Sequence, residues 1–182
     1  QRASVMNRAS TLLLRLFLIA LFVPSYASAV TLNGKVVKVA DGDTITILVG
    51  TEQHRIRLNG VDAPERKQPF GKASGRSLSA LVAGKQVRVE YGKRDRYGRI
   101  LGVVWVRSPD TRCDVESCPM TLDAGLYQLT GGMALWYRQY AKEQTAEQRG
   151  QYEFAEFEAK VKKAGLWQEL EPVEPWEWRQ RR

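Results

Sequence analysis

"TLNGKVVKVADGDTITILVGTEQHRIRLNGV", residues 31–61, decides the fold. Turn residues at Asp41-Gly42 and around Gly50 divide it into three strands, near 31–39, 43–49 and 54–59. In the third, Ile56 and Leu58 alternate with Arg55 and Arg57, the pattern of a half-buried strand. Gly60 and Pro64 stop it. Charged residues then collect at this boundary: Arg57, Asp62 and Glu65 fall within "RIRLNGVDAPE", residues 55–65.

Downstream, "FGKASGRSLSALVAGK" places Phe70, Ala73, Leu78, Leu81 and Val82 at helical spacing and ends near Gly84. Two more strands follow, "QVRVEY" and "RILGVVWV", joined by the polar turn "GKRDRYG". "TLDAGLYQLTGGMALWYRQYA" reads as a second helix weakened by Gly131-Gly132. A third starts near Thr145, where "TAEQ" is a capping box, carries Phe154, Phe157, Val161 and Ala164 on one face, and stops at Gly165. The tail, 168–182, holds two Pro and two Trp and reads as irregular. Five short strands with a helix after the third predict an α+β fold, an OB-type β-barrel with about three helices.

Upstream, residues 1–29 contain Arg8 and Arg15, an apolar run and no acid, and end in Ala27-Ser28-Ala29. That is the layout of a secretory signal peptide cleaved after Ala29. The run Leu16–Val23 is short for a membrane span. A secreted or periplasmic protein without stable membrane association is expected, and a monomer; an uncleaved N-terminal anchor is the competing reading. Removing 1–29 takes away three arginines and lowers the net charge from +8 to +5. The remainder is long enough for one domain with a real core, and its basic surface suits a polyanion.

Cys113 and Cys118, within "RCDVESCP", read as a disulfide closing a small loop in an exported protein. Zinc is disfavoured, because His54 is the only histidine and a structural site needs four ligands. His54 itself reads as an ordinary strand residue.

Three segments carry candidate chemistry. "VADGDT" (39–44) puts Asp41 and Asp43 at a tight turn, "RLNGVDAPE" supplies Arg57, Asp62 and Glu65, and "RDRYGR" (94–99) supplies Arg94, Arg96, Tyr97 and Arg99. Alone, the first is a hairpin turn and the last a solvated basic turn. Together they acquire a purpose. A closed barrel can bring Asp43 and Asp62 together, and two bare carboxylates in contact repel unless a cation lies between them. Hard oxygen ligands select calcium or magnesium over zinc. Arginine forks bind phosphate oxygens two at a time, and the remaining carboxylate, Glu65, can orient or deprotonate a water. These are the parts for phosphodiester hydrolysis.

"DGDT", "RLNGVDAPE" and "DRYGR", in this order and at these separations, resemble the staphylococcal nuclease (thermonuclease) family, over about Val30 to Trp167. The resemblance implies a nuclease domain at 30–167, one calcium ion, DNA and RNA as substrates, and products ending in 3′-phosphates. Asp43 and Asp62 match the metal carboxylates, and Ala63 a residue contributing its backbone carbonyl. Glu65 matches the general base, Arg57 and Arg99 the arginines on the scissile phosphate, and Tyr97, beside Arg96, a tyrosine on the nucleotide's terminal phosphate. Tyr137 and Tyr140 are candidates to stack on a base. The chain departs from the type member in three places. Ala63 stands in place of Thr, the loop "RKQPFGKASG" is shorter, and the cysteine loop is extra. Even "PWEWR" (175–179) is similar to tails of bacterial members. A non-catalytic OB module that binds nucleic acid is the alternative, and a structural or adhesion domain a third reading.

Overall fold

The structure, a computed structural model, describes residues 30–109 and 118–181. Strands β1 (Val30–Val39), β2 (Thr44–Val49) and β3 (Glu52–Leu58) form an antiparallel meander. β1 is long because it serves two neighbours. Its second half pairs with β2 and its first half with β5 (Gln86–Arg94), and a register shift between Val36 and Lys38 lets it bend. β5 pairs antiparallel with β6 (Ile100–Val106). β3 and β6 then meet in parallel, Ile56 beside Ile100 and Arg57 beside Leu101, and close the five strands into a barrel. This is the OB-type architecture expected from the strand pattern.

Alternation fills the interior. Ile45, Ile47, Ile56, Val87, Val89, Ile100 and Val104 are fully buried. Helix α1 (Gly71–Val82) adds Leu78, Leu81 and Val82 to the same core. Each large apolar side chain so buried contributes about 1.5–3 kcal/mol relative to exposure.

The expected second helix is divided. α2 (Ala124–Thr130) starts on Asp123, whose carboxylate accepts the Gly125 N–H at 2.7 Å. It ends at Gly131, and Gly132 turns the chain with φ +62°. That left-handed turn ends α2, and only glycine fits it, because a Cβ at Gly132 would collide with the Ala164 carbonyl. The freed residues form strand β8 (Leu135–Trp136), which pairs with β4 (Val61–Asp62); between them in sequence lies the short β7 (Leu122–Asp123) on the edge of β6. A 3₁₀ turn follows at Arg138–Glu143.

Helix α3 (Ala146–Val161) begins with the expected capping box between Thr145 and Gln148. Its packed face is not the expected one: Phe154, Phe157 and Val161 point outward, 60–67% exposed, while Tyr152, Ala155, Glu156 and Ala159 are buried. Two alanines let α3 approach α2 closely, and the Tyr152 hydroxyl donates to Asp123 at 2.7 Å. The tail, read as irregular, contains helix α4 (Pro175–Gln180), opened by Pro175 at its first position. Residues 1–29 and Cys113 lie outside the described residues, and with them the expected signal peptide and the expected Cys113–Cys118 bond.

Candidate active site

The ends of β2, β3 and β4 converge on one rim of the barrel, opposite the turn that joins β5 to β6. Between them lies a cleft of about 880 Å³ lined by Asp41, Asp43, Arg57, Asp62, Ala63, Glu65, Arg96, Tyr97, Arg99, Tyr137, Tyr140 and Arg179. Every residue proposed from the sequence for catalysis, metal or substrate binding therefore borders a single cavity.

Its floor is a charged triad. Arg57 reaches from β3 between two buried carboxylates, with Nη2 donating to Asp62 Oδ1 at 2.7 Å. Nη1 lies 2.5 Å from Asp43 Oδ2, an ion pair out of line for a hydrogen bond. Asp43 is further fixed by the Ala63 N–H at 2.8 Å and the Thr44 hydroxyl at 2.9 Å. Burial alone would raise its pKa, but Arg57 and these donors bring the carboxyl below its usual range. Asp62 differs: burial outweighs its arginines and holds its pKa above the usual range. Asp41 is driven in the same direction, to about 6, by burial and by the negative charge of Asp43.

Local structure explains these positions. The Asp41 carboxylate accepts the Asp43 N–H at 3.1 Å, making the turn that aims Asp43 inward. Gln128, fully buried on α2, donates to the Gly42 carbonyl at 2.8 Å and to the Ser74 carbonyl at 3.1 Å. It thereby ties this turn to α1. The β4–β8 ladder does the same for Asp62, opposite Leu135. Glu65 is set by Gln68, whose Oε1 accepts the Glu65 N–H at 3.0 Å and whose own N–H donates to the Glu65 carbonyl at 2.7 Å. Gly71 permits that fold: a Cβ there would sit 1.9 Å from the Glu65 carbonyl oxygen.

The opposite wall is self-contained. Arg99 Nε donates to Asp95 Oδ2 at 2.6 Å, and Asp95 Oδ1 accepts the N–H groups of Tyr97 and Arg99 at 2.9 and 3.0 Å. Tyr97 stands 69% exposed at the tip, with the guanidiniums of Arg96 and Arg99 over its ring. Arg99 thus faces the cleft without touching the Asp43–Arg57–Asp62 group. Tyr137 forms the end wall, its ring stacked on Trp176 with centroids 5.2 Å apart and planes 21° from parallel.

Sequence reasoning did not assign site positions to Asp41, Asp95, Gln128 and Arg179. Asp41 and Asp95 sit inside the quoted motifs and were legible as their turn-formers. Gln128 is a polar residue on an apolar helix, and only its burial reveals its role. Arg179 comes from the tail. It donates to Asp62 Oδ2 at 2.7 Å, Asp62 Oδ1 at 3.2 Å and Glu65 Oε1 at 3.0 Å.

The donor set fits a hard cation. Asp43 and Asp62 already converge on one positive group, and both offer carboxylate oxygens. Among the described residues no group of three or more His, Cys, Asp or Glu stands placed to hold a metal. Backbone oxygens and water would have to complete the sphere, as calcium accepts.

A closed OB barrel with paired carboxylates and opposed arginines over a basic cleft defines a protein that works on phosphodiesters. Comparison with known proteins narrows this. Residues 55–169 match the model of the family described as staphylococcal nuclease homologue. An endonuclease of Escherichia coli described as uncharacterized is 38% identical over 151 residues, covering 83% of this chain and 87% of its own. A micrococcal nuclease of Shigella flexneri is 38% identical over 165 residues, 86% of this chain and 84% of its own. A staphylococcal-like nuclease of Arabidopsis thaliana is 35% identical over 128 residues, 70% of this chain but 34% of its own. The chain belongs to the staphylococcal nuclease family, and with it to the phosphodiester hydrolases.

Proposed function

We propose that the protein is an exported, calcium-dependent nuclease that hydrolyses phosphodiester bonds of DNA, RNA or both. The observation that carries this reading is the convergence of the Asp43 and Asp62 carboxylates on the cleft floor, with Glu65 and Arg99 on its walls. Asp43 and Asp62 would hold a calcium ion, with the Ala63 carbonyl and water completing its shell. Such an ion, when bound, supplies positive charge against the oxygens of the scissile phosphate.

The chain's own groups do the rest. Arg57 would offer its fork to the phosphate from the cleft floor, and Arg99 would meet the same group from the β5–β6 side. Glu65 holds a water by its proton and accepts that proton as the water oxygen attacks phosphorus. The bond from phosphorus to one ester oxygen breaks, and that oxygen leaves as a hydroxyl with a proton from solvent. Arg96 and Tyr97 receive a terminal phosphate, and Tyr137 offers its ring face to a base. The apolar, acid-free leader at 1–29 supports export to the periplasm or medium. A Cys113–Cys118 bond fits that compartment, and mass spectrometry finding two free thiols in exported material would remove it.

The test is cleavage of single- and double-stranded DNA and RNA by the purified protein, in calcium and in chelator. Activity should fall to background in chelator and return with calcium. Arg57→Ala, Glu65→Ala and Arg99→Ala should each lose at least ~100-fold in turnover, the scale of a lost charge-stabilising or general-base group. Affinity for an uncleavable oligonucleotide should change far less. If binding were abolished while bound substrate turned over normally, the chain would instead be a binding module.

A further inference from the structure

The C-terminal helix enters the cleft at two points, and each is a point where a ligand would otherwise be held. Trp176 lies flat on Tyr137, the ring available for a base. Arg179 grips both oxygens of Asp62 and one of Glu65, the carboxylates available for the cation and the water. The helix is moored independently of these contacts. Gln68, which sets Glu65, also donates to the Val173 carbonyl at 2.5 Å, and Pro175 is buried. Arg179 itself is 41% exposed, so its guanidinium can leave Asp62 for solvent without unpacking the core. It lies beyond residue 169, where the match to the family model ends.

We propose that α4 is a reversible plug whose Arg179 competes with the divalent cation for Asp62. This rests on the reading of Asp43 and Asp62 as cation ligands. The competition follows from charge. A carboxylate held bidentately by one guanidinium and by a second arginine has its lone pairs committed, and a divalent cation entering there repels both. Arg57 keeps a use in the cleft, facing incoming phosphate. Arg179 leads the way out, because withdrawing it frees Asp62 and Glu65 together and uncovers the Tyr137 ring. Linkage makes the effect reciprocal: whatever factor the docked helix takes from cation affinity, the bound cation takes from helix docking.

The experiment is calorimetric titration of calcium into the full-length protein without nucleic acid, comparing wild type, Arg179→Ala, Arg179→Lys and Trp176→Ala. Arg179→Ala should bind calcium at least ~5-fold more tightly, the lower scale of a coupling between sites. Arg179→Lys, which keeps the charge and loses the fork, should fall between. Trp176→Ala removes no contact to Asp62 or Glu65 and should shift affinity in the same direction by less. In wild type, saturating calcium should speed amide exchange within 175–180. Unchanged or weaker calcium binding by Arg179→Ala, in protein with a wild-type melting curve, would overturn the plug and leave the cation site standing. Absence of calcium binding in every variant would overturn the plug together with the cation reading.

Discussion

Two buried carboxylates in this molecule each meet two cationic side chains, and they are built to opposite ends. Glu156, on α3, accepts from Arg138 at 2.7 Å and from Lys160 at 3.0 Å, and its other oxygen takes the Trp136 N–H at 3.0 Å. Asp62 accepts from Arg57 and Arg179, and every side-chain donor to it among the described residues is a guanidinium. Burial would raise both pKa values. At Glu156 the hydrogen bonds from Arg138, Lys160 and the Trp136 N–H win and bring it below the usual range. At Asp62 burial wins. Glu156 keeps one tie to backbone, the Trp136 N–H, which cannot leave, whereas Asp62 is held by side chains that can.

The comparison breaks if exchanging each acid for its amide gives the same kind of loss. Asp62→Asn should lower cleavage by at least ~100-fold, since it removes a group whose charge the reaction needs. Its melting temperature should move little, because the amide keeps the shape and an acceptor for Arg57. Glu156→Gln should do the reverse. It should cost about 1–2 kcal/mol of stability in denaturant titration, the scale of charged hydrogen bonds weakened at a buried group. Turnover per folded molecule should stay within about twofold of wild type.

Acid sharpens the same contrast. The folded pKa of Glu156 lies below its ordinary 4.5, so its contribution is complete above 4.5. That contribution disappears as pH falls through the lowered folded value. The stability gap between wild type and Glu156→Gln should therefore be constant near neutrality and close in acid, which unfolding curves from pH 7 to pH 3 will read. The smallest effect belongs to Lys93→Ala. Lys93 pairs with Glu143 across the cleft mouth while about half exposed. Loss of such a pair should change stability by less than about 1 kcal/mol. It should weaken oligonucleotide binding slightly at low salt and leave cleavage nearly unchanged.

What the sequence disclosed, and what it withheld, follows from the range of the forces involved. The barrel strands were legible because alternation and turn residues act within a few positions: Asp41-Gly42 ends one strand, and Ile56 and Leu58 face the core of another. The motif acids and arginines were legible because their turns carry them to one rim. The face of α3 was not. Phe154 and Phe157 form the more apolar stripe, yet Tyr152 and two alanines won the core, because close packing on α2 favours small side chains and a hydroxyl near Asp123. The division of the second helix turned on Gly132 lying against Ala164, more than thirty residues away. Arg179 was the least legible, being 117 residues from Asp62, in a tail whose Pro and Trp content suggested no regular structure.

The parallel seam between β3 and β6 has a consequence for how the enzyme comes into being. Arg57 lies beside Leu101 across that seam, and Arg99 directly precedes it. The local hairpins can form from neighbouring residues, but the seam joins positions more than forty residues apart, and such long-range parallel pairing forms slowly. Until it closes, Asp43, Arg57 and Asp62 occupy one edge and Arg99 another. Cleavage regained during refolding is thus a clock for barrel closure, and it should start only when the last two strands have met.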